Sequence, residues 1–131
     1  MAGPYLIDTD ILIDLGRKTP GAERYLEALG GWSYSVVTEM ELVAGARNRE
    51  EVAAVAHVLF PYRKLPLTEE AGELASNLMK EYSRASGMDP LDALIAASAL
   101  TEGLTLATRN RKHFSGIPGL DIEVPGYGAS G

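Results

Sequence analysis

Tyr5-Leu6-Ile7-Asp8 is a short apolar run that ends abruptly on an acid. Consecutive apolar residues of this length read as a strand buried on both faces, with the acid at its end. Working outward, Thr19-Pro20-Gly21-Ala22-Glu23 predicts a helix with a threonine N-cap and proline at its first position, closed by Gly30-Gly31. Residues 32–37 are β-rich and predict a second strand. Thr38 then reads as an N-cap, with Glu41 three residues later. A further helix carries Val52, Val55, Ala56, Leu59 and Phe60 at helical spacing, and Pro61 stops it.

Lys64-Leu65-Pro66-Leu67 reads as an edge strand, because its proline cannot donate to a ladder. Thr68 caps a long helix with Ala71, Leu74, Ala75, Leu78, Met79 and Tyr82 on one face, ended by Gly87. Asp89-Pro90 starts the next helix, whose stripe is Leu91, Leu94, Ile95, Ser98 and Ala99 and whose end is Gly103. Residues 104–108 read as a strand, Ile117-Pro118-Gly119 as a turn and Ile122-Glu123-Val124 as a last short strand. Strands alternating with helices predict an α/β fold: one domain over residues 1–124, with a central parallel sheet and helices on both faces. The Gly-rich tail, residues 125–131, is expected to be disordered.

At 131 residues the chain is the size of one domain, and its 46% apolar and 23% charged composition is that of a globular protein. It has no cysteine, which excludes disulfides, thiolate zinc sites and thiol nucleophiles. No basic N-terminal region precedes an apolar stretch and no run approaches membrane-spanning length, so a cytoplasmic protein without a membrane partner is expected. The formal charge of −6 argues against a bulk electrostatic grip on nucleic acid. A polyanion partner then needs a local basic patch, a bound metal, or both.

Open parallel sheets bind ligands beyond the carboxyl ends of their strands. Asp8 ends the first strand, Glu41 lies one helical turn after the second, and Asn110 follows the strand at 104–108. Asp92 begins a crossover helix, so sheet topology alone is not expected to place it there. Each acid also has an ordinary structural role: Glu41 as the glutamate of a capping box, Asp92 as a partner of the helix dipole, Asp8 and Asp10 as turn caps. Gathered together, they either have raised pKa values or need a cation. Two carboxylates about 5 Å apart repel by roughly 3 kcal/mol at an effective dielectric near 20. An all-oxygen donor set favours Mg²⁺, with Mn²⁺ able to substitute, over zinc.

Four stretches carry a resemblance. They are Leu6-Ile7-Asp8-Thr9-Asp10-Ile11-Leu12, Thr38-Glu39-Met40-Glu41-Leu42-Val43-Ala44-Gly45, Asp92-Ala93-Leu94-Ile95-Ala96-Ala97, and Thr108-Arg109-Asn110-Arg111-Lys112-His113-Phe114. In order and spacing the chain resembles the PIN-domain ribonucleases, specifically the VapC toxins of type II toxin–antitoxin systems. The resemblance implies Asp8, Glu41 and Asp92 as metal ligands and Asn110 at the family's fourth acidic position, where an amide adds no charge. It places Thr9 and Thr108 as supporting hydroxyls. The implied reaction is Mg²⁺-dependent cleavage of single-stranded or loop RNA, tRNA included, by metal-activated water. It further implies a VapB-like antitoxin partner and a homodimer.

Arg47 and Arg49 follow the Glu41 helix, and Arg109, Arg111, Lys112 and His113 follow the last core strand, so both groups are candidates to hold RNA phosphates. Asp8-Thr9-Asp10 also has the Asp-x-Asp spacing of a haloacid-dehalogenase-type phosphatase, but no later lysine and acidic pair support it. A receiver domain, with Asp8 and Asp10 as its acidic pocket, would need a phosphoacceptor aspartate ending a middle strand, and the sequence shows none. A catalytically inactive PIN scaffold acting as a binding module is the remaining alternative, and Asn110 is its motive.

Overall fold

The computed structural model describes residues 4–128. Its strands are β1 (Tyr5–Ile7), β2 (Trp32–Ser35), β3 (Arg63–Leu65), β4 (Thr105–Ala107) and β5 (Ile122–Glu123). Its helices are α1 (Thr9–Gly16), α2 (Ala22–Leu29), α3 (Val36–Ala44), α4 (Arg49–Leu59), α5 (Glu69–Ser86), α6 (Pro90–Glu102) and α7 (Arg111–Phe114). One sheet runs in the order β3-β2-β1-β4-β5, and every pairing is parallel.

Alternation within the central strands feeds two cores. Leu6 and Leu106 face a cluster with Leu78, Ile95 and Phe114, while Ile7 and Ala107 face one with Ile11, Leu26, Trp32 and Leu59. Helix α6 is buried over five successive residues, Ile95, Ala96, Ala97, Ser98 and Ala99. Its small side chains let the helix lie close against the sheet.

Several boundaries differ from expectation. The second strand stops at Ser35, whose hydroxyl oxygen accepts the Val37 N–H and caps α3. Thr38 is therefore no cap: it lies inside α3, fully buried. The β-branched pair Val36-Val37 suggests strand, and the serine cap together with burial of Val37 overrides that propensity. Thr19 does not cap α2 either. The cap is Gly21, at φ +91, and a Cβ there would lie 2.6 Å from Tyr127 Cβ. Helices α1 and α7 have no counterpart in the sequence reading. Phe60, expected on the buried stripe of α4, is 88% exposed, and Leu59 is the residue that α4 buries.

The expectation of a disordered tail meets a defined path as far as Gly128. Pro125 is buried, and Tyr127 packs against the Tyr25 ring and donates its hydroxyl to Asp14 Oδ2 at 2.7 Å. Residues 129–131 of that expected tail lie outside the described residues. Among the described residues no helix is long and apolar enough to cross a membrane.

Candidate active site at the sheet switch point

From β1 the chain builds outward through β2 and β3, then returns past both to lay β4 on the opposite side of β1. The carboxyl ends of β1 and β4 flank this reversal, the position where open parallel sheets leave a crevice. The register pairs Ile7 with Ala107, so the next residues, Asp8 and Thr108, stand side by side. Asp8 is 5% exposed; its Oδ2 accepts the Thr108 hydroxyl at 2.7 Å and its Oδ1 accepts the Thr9 N–H at 2.8 Å. Burial first, then the charge of Asp10, pushes the Asp8 carboxyl up to about 7, and Asp92 adds a smaller repulsion. Asp10 Oδ2 accepts the Arg109 N–H at 3.0 Å, which ties the β4 loop to α1, while its Oδ1 is buried without a hydrogen-bond partner.

Glu41 reaches this edge through hydroxyls. Thr9 Oγ1 donates to Glu41 Oε1 at 2.7 Å and also lies 2.9 Å from Thr38 Oγ1. Thr9 has one hydroxyl proton, so with that proton on Glu41 the donor to Thr9 is Thr38. The capping-box role for Glu41 falls away with the Thr38 cap.

Asp92, expected only to complement the helix dipole, closes a capping box with Asp89. Asp92 N–H donates to Asp89 Oδ1 at 2.8 Å, and Asp89 N–H returns a 3.2 Å bond to Asp92 Oδ2. The same Oδ2 lies 2.8 Å from His113 Nδ1, which in turn lies 2.8 Å from the Asn110 amide. Asp92 is at the active edge for a topological reason. Only Gly103 and Leu104 separate α6 from β4, so α6 must run antiparallel to the strands and begin at their carboxyl ends.

The geometry connects Asp8 with Thr108, Glu41 with Thr9, and Asp92 with Asn110. A model of the PIN domain matches residues 5–120. The chain belongs to the PIN-domain family. Among curated relatives it is 35% identical over 128 residues to Ribonuclease VapC10 of Mycobacterium tuberculosis, covering 93% of this chain and 96% of that protein. Among solved structures it is similar to a toxin–antitoxin complex from Klebsiella pneumoniae, at 33% identity and TM-score 0.77, over 88% of this chain and 94% of that one. It is also similar to a DNA-bound VapBC from Salmonella typhimurium, at 26% identity and TM-score 0.77, over 92% of this chain and 97% of that one.

In this PIN domain Asp10 is not placed as the general acid that a phosphatase needs, since one oxygen is tied to a backbone amide and the other is buried. Among the described residues no three His, Cys, Asp or Glu side chains stand close enough to form a ready-made metal cage. The donor chemistry nevertheless fits Mg²⁺, which keeps most of its waters and takes one or two carboxylates. Asp8, buried beside two further acids, is the group whose charge a cation relieves most.

The basic candidates separate. Arg47 is bound to Glu51 at 2.8 Å, on the surface. Arg109 is exposed but already partnered: its Nη1 donates to Asp14 at 2.8 Å, and its guanidinium lies 5.6 Å from the Tyr127 ring centroid. Arg49, Arg111 and Lys112 are exposed and enter no ion pair among the described residues. Sequence reasoning misses the Asp14–Arg109–Tyr127 strut. It also groups His113 with the phosphate-binding residues, although its spacing three after Asn110 is a signal for the pairing seen.

Proposed function

We propose that this PIN domain is the toxin of a type II toxin–antitoxin pair and cleaves single-stranded or loop RNA, tRNA included, in a Mg²⁺-dependent hydrolysis. The observation that carries the reading is the buried Asp8 at the switch point, hydrogen-bonded by Thr108 and Thr9 with Asp92 in its field. Asp8 would hold the ion, with Glu41 and Asp92 meeting it directly or through its waters. When bound there, Mg²⁺, or Mn²⁺ in its place, would supply charge shielding at the phosphate and lower the pKa of a water. The residues of the chain do the rest. Thr108 and Thr9 fix the Asp8 carboxylate, Thr9 orients Glu41, and the exposed Arg49, Arg111 and Lys112 attract RNA phosphates. No protein nucleophile is needed, and the product carries a 5′-phosphate.

An antitoxin partner is supported by a groove of about 670 Å³ with Leu12, Ile13, Leu42, Val55 and Val58 on its floor and the charged Arg17, Glu41, Arg47 and Glu51 also lining it. An amphipathic VapB-like helix laid in such a groove lies within reach of the acidic edge. A homodimer and a cytoplasmic location complete the reading. The experiment is cleavage of a mixed RNA pool by antitoxin-free protein with Mg²⁺ or Mn²⁺, with mapping of the new ends. New 5′-phosphates support hydrolysis by water. Ends bearing 2′,3′-cyclic phosphate contradict it, and a protein that binds metal without cutting RNA is the inactive scaffold.

A further inference from the structure

His113 Nδ1 faces two groups at once. Asp92 Oδ2 and the Asn110 side-chain amide each lie 2.8 Å from it, with Asn110 Nδ2 on the near side. A ring nitrogen carries either one proton or one lone pair in this plane, never both. Asp92 Oδ2 already accepts the Asp89 N–H, so it is an acceptor. A carboxylate oxygen 2.8 Å from a nitrogen lone pair would be repulsive, so Nδ1 carries a proton. With Asp92 ionised, that holds whether the ring is neutral or charged. An amide nitrogen cannot accept from that proton, whereas an amide oxygen can. The nitrogen and oxygen of a carboxamide have nearly the same shape, and their partners decide between them. Here the partners require Oδ1 against the ring and Nδ2 on the side turned away from it.

We propose that His113 is a positioning residue that holds Asn110 with its NH₂ group outward, so that Asn110 donates to a phosphate oxygen of the RNA and does not ligate the metal. Three further features lock this arrangement. The Asn110 N–H donates to Thr108 Oγ1 at 3.0 Å, which ties the Asn110 backbone to the hydroxyl that serves Asp8. The His113 ring edge, at Nε2, lies 3.6 Å from where a Cβ on Gly87 would sit, so the ring is confined between α7 and the end of α5. Phe114, fully buried, anchors α7 next to it. An outward NH₂ repels a cation and matches the acceptor-only oxygens of a phosphodiester. The chain thereby turns the family's fourth acidic position from a ligand into a substrate contact. This rests on the ribonuclease reading for the identity of the phosphate, though not for the orientation of the amide.

The test begins with metal-free, ¹⁵N-labelled wild-type protein and needs no activity. The chain has two histidines, so a His113→Asn variant assigns the ring signals. The expected spectrum shows a proton on His113 Nδ1; a ring protonated at Nε2 alone overturns the proposal. Mn²⁺ titration of Asn110→Ala follows. The expected result is the same number of bound ions as wild type, with RNA cleavage lowered about tenfold or more, the loss of one hydrogen bond to a charged group. Loss of an ion in Asn110→Ala overturns the proposal. His113→Asn, whose amide N–H replaces the Nδ1 proton, is expected to keep most of the cleavage rate that His113→Leu loses. Equal loss in both also overturns it. The ring spectrum does not depend on RNA cleavage, so failure of the ribonuclease reading and failure of the amide orientation are read separately.

Discussion

Thr108 Oγ1 donates a 2.7 Å hydrogen bond to Asp8 Oδ2 across 100 positions of sequence. Parallel pairing of β1 with β4 makes that bond, because the register carries Ile7 opposite Ala107 and leaves the next residue of each strand adjacent. Thr108→Val keeps the shape and removes the donor. A hydrogen bond to a charged group contributes about 1.5–3 kcal/mol, so Mn²⁺ affinity and RNA cleavage are expected to fall by roughly one to two orders of magnitude. Thr108→Ser should retain most of both. Unchanged Mn²⁺ affinity in the valine variant would contradict the role given to Thr108.

Asp8 also predicts how stability depends on pH. Burial and Asp10 push its carboxyl from 3.8 up to about 7, against the hydrogen bonds from Thr108 and Thr9. Between those values the native chain holds a proton that the unfolded chain releases. Stability is therefore full below about pH 4 and is lost as pH rises to about 7, by up to roughly 4 kcal/mol. Asp10 and Asp92, both raised chiefly by burial, act in the same direction. Thermal melts in EDTA should show Tm falling across this window, with Asp8→Asn flattening the fall and melting higher at neutral pH. A wild-type Tm that rises from about pH 4 to about pH 7 would refute the assignment.

Thr9 is expected to matter for folding as well as for the site. Its hydroxyl donates to Glu41 and lies against the fully buried Thr38 hydroxyl. Thr9→Val leaves both without a partner and should cost about 1–3 kcal/mol in urea unfolding. Thr9→Ser should restore it. Equal stability of the valine variant would show that neither bond contributes.

The arginines and the lysine after β4 should divide by function. Arg109→Ala removes the contacts to Asp14 and Tyr127 and is expected to lower the urea midpoint. Arg111→Ala and Lys112→Ala should leave the midpoint alone and weaken RNA binding, each reducing the salt slope by about 0.7 for every phosphate that the side chain neutralises. Binding measured against salt concentration checks this. Weakened binding in Arg109→Ala alone would reverse the division.

Much of this architecture is legible in the chain. The cap at Thr68, the glycine stop at Gly87 and the Asp89-Pro90 start all act through local chemistry, and each is found where its residues predict. Asp92 is more legible than sheet topology suggests, since the two-residue link from α6 to β4 alone forces the start of α6 to the active edge. Other features depend on distant partners. Ser35 outcompetes Thr38 as a cap because Thr38 is needed inside, against Thr9. Gly21 is dictated by Tyr127, more than a hundred residues away, and the structural contacts of Arg109 emerge only once Asp14 and Tyr127 are placed around it.

The most direct measurement compares RNA cleavage by antitoxin-free wild-type and Asp8→Asn proteins, each with Mg²⁺ or Mn²⁺ and each again in excess EDTA. The predicted result is cleavage by the wild type with metal and none in the other three conditions, with Asp8→Asn folded and at least as stable. Cleavage that survives both EDTA and the substitution would contradict a metal-dependent site built on Asp8.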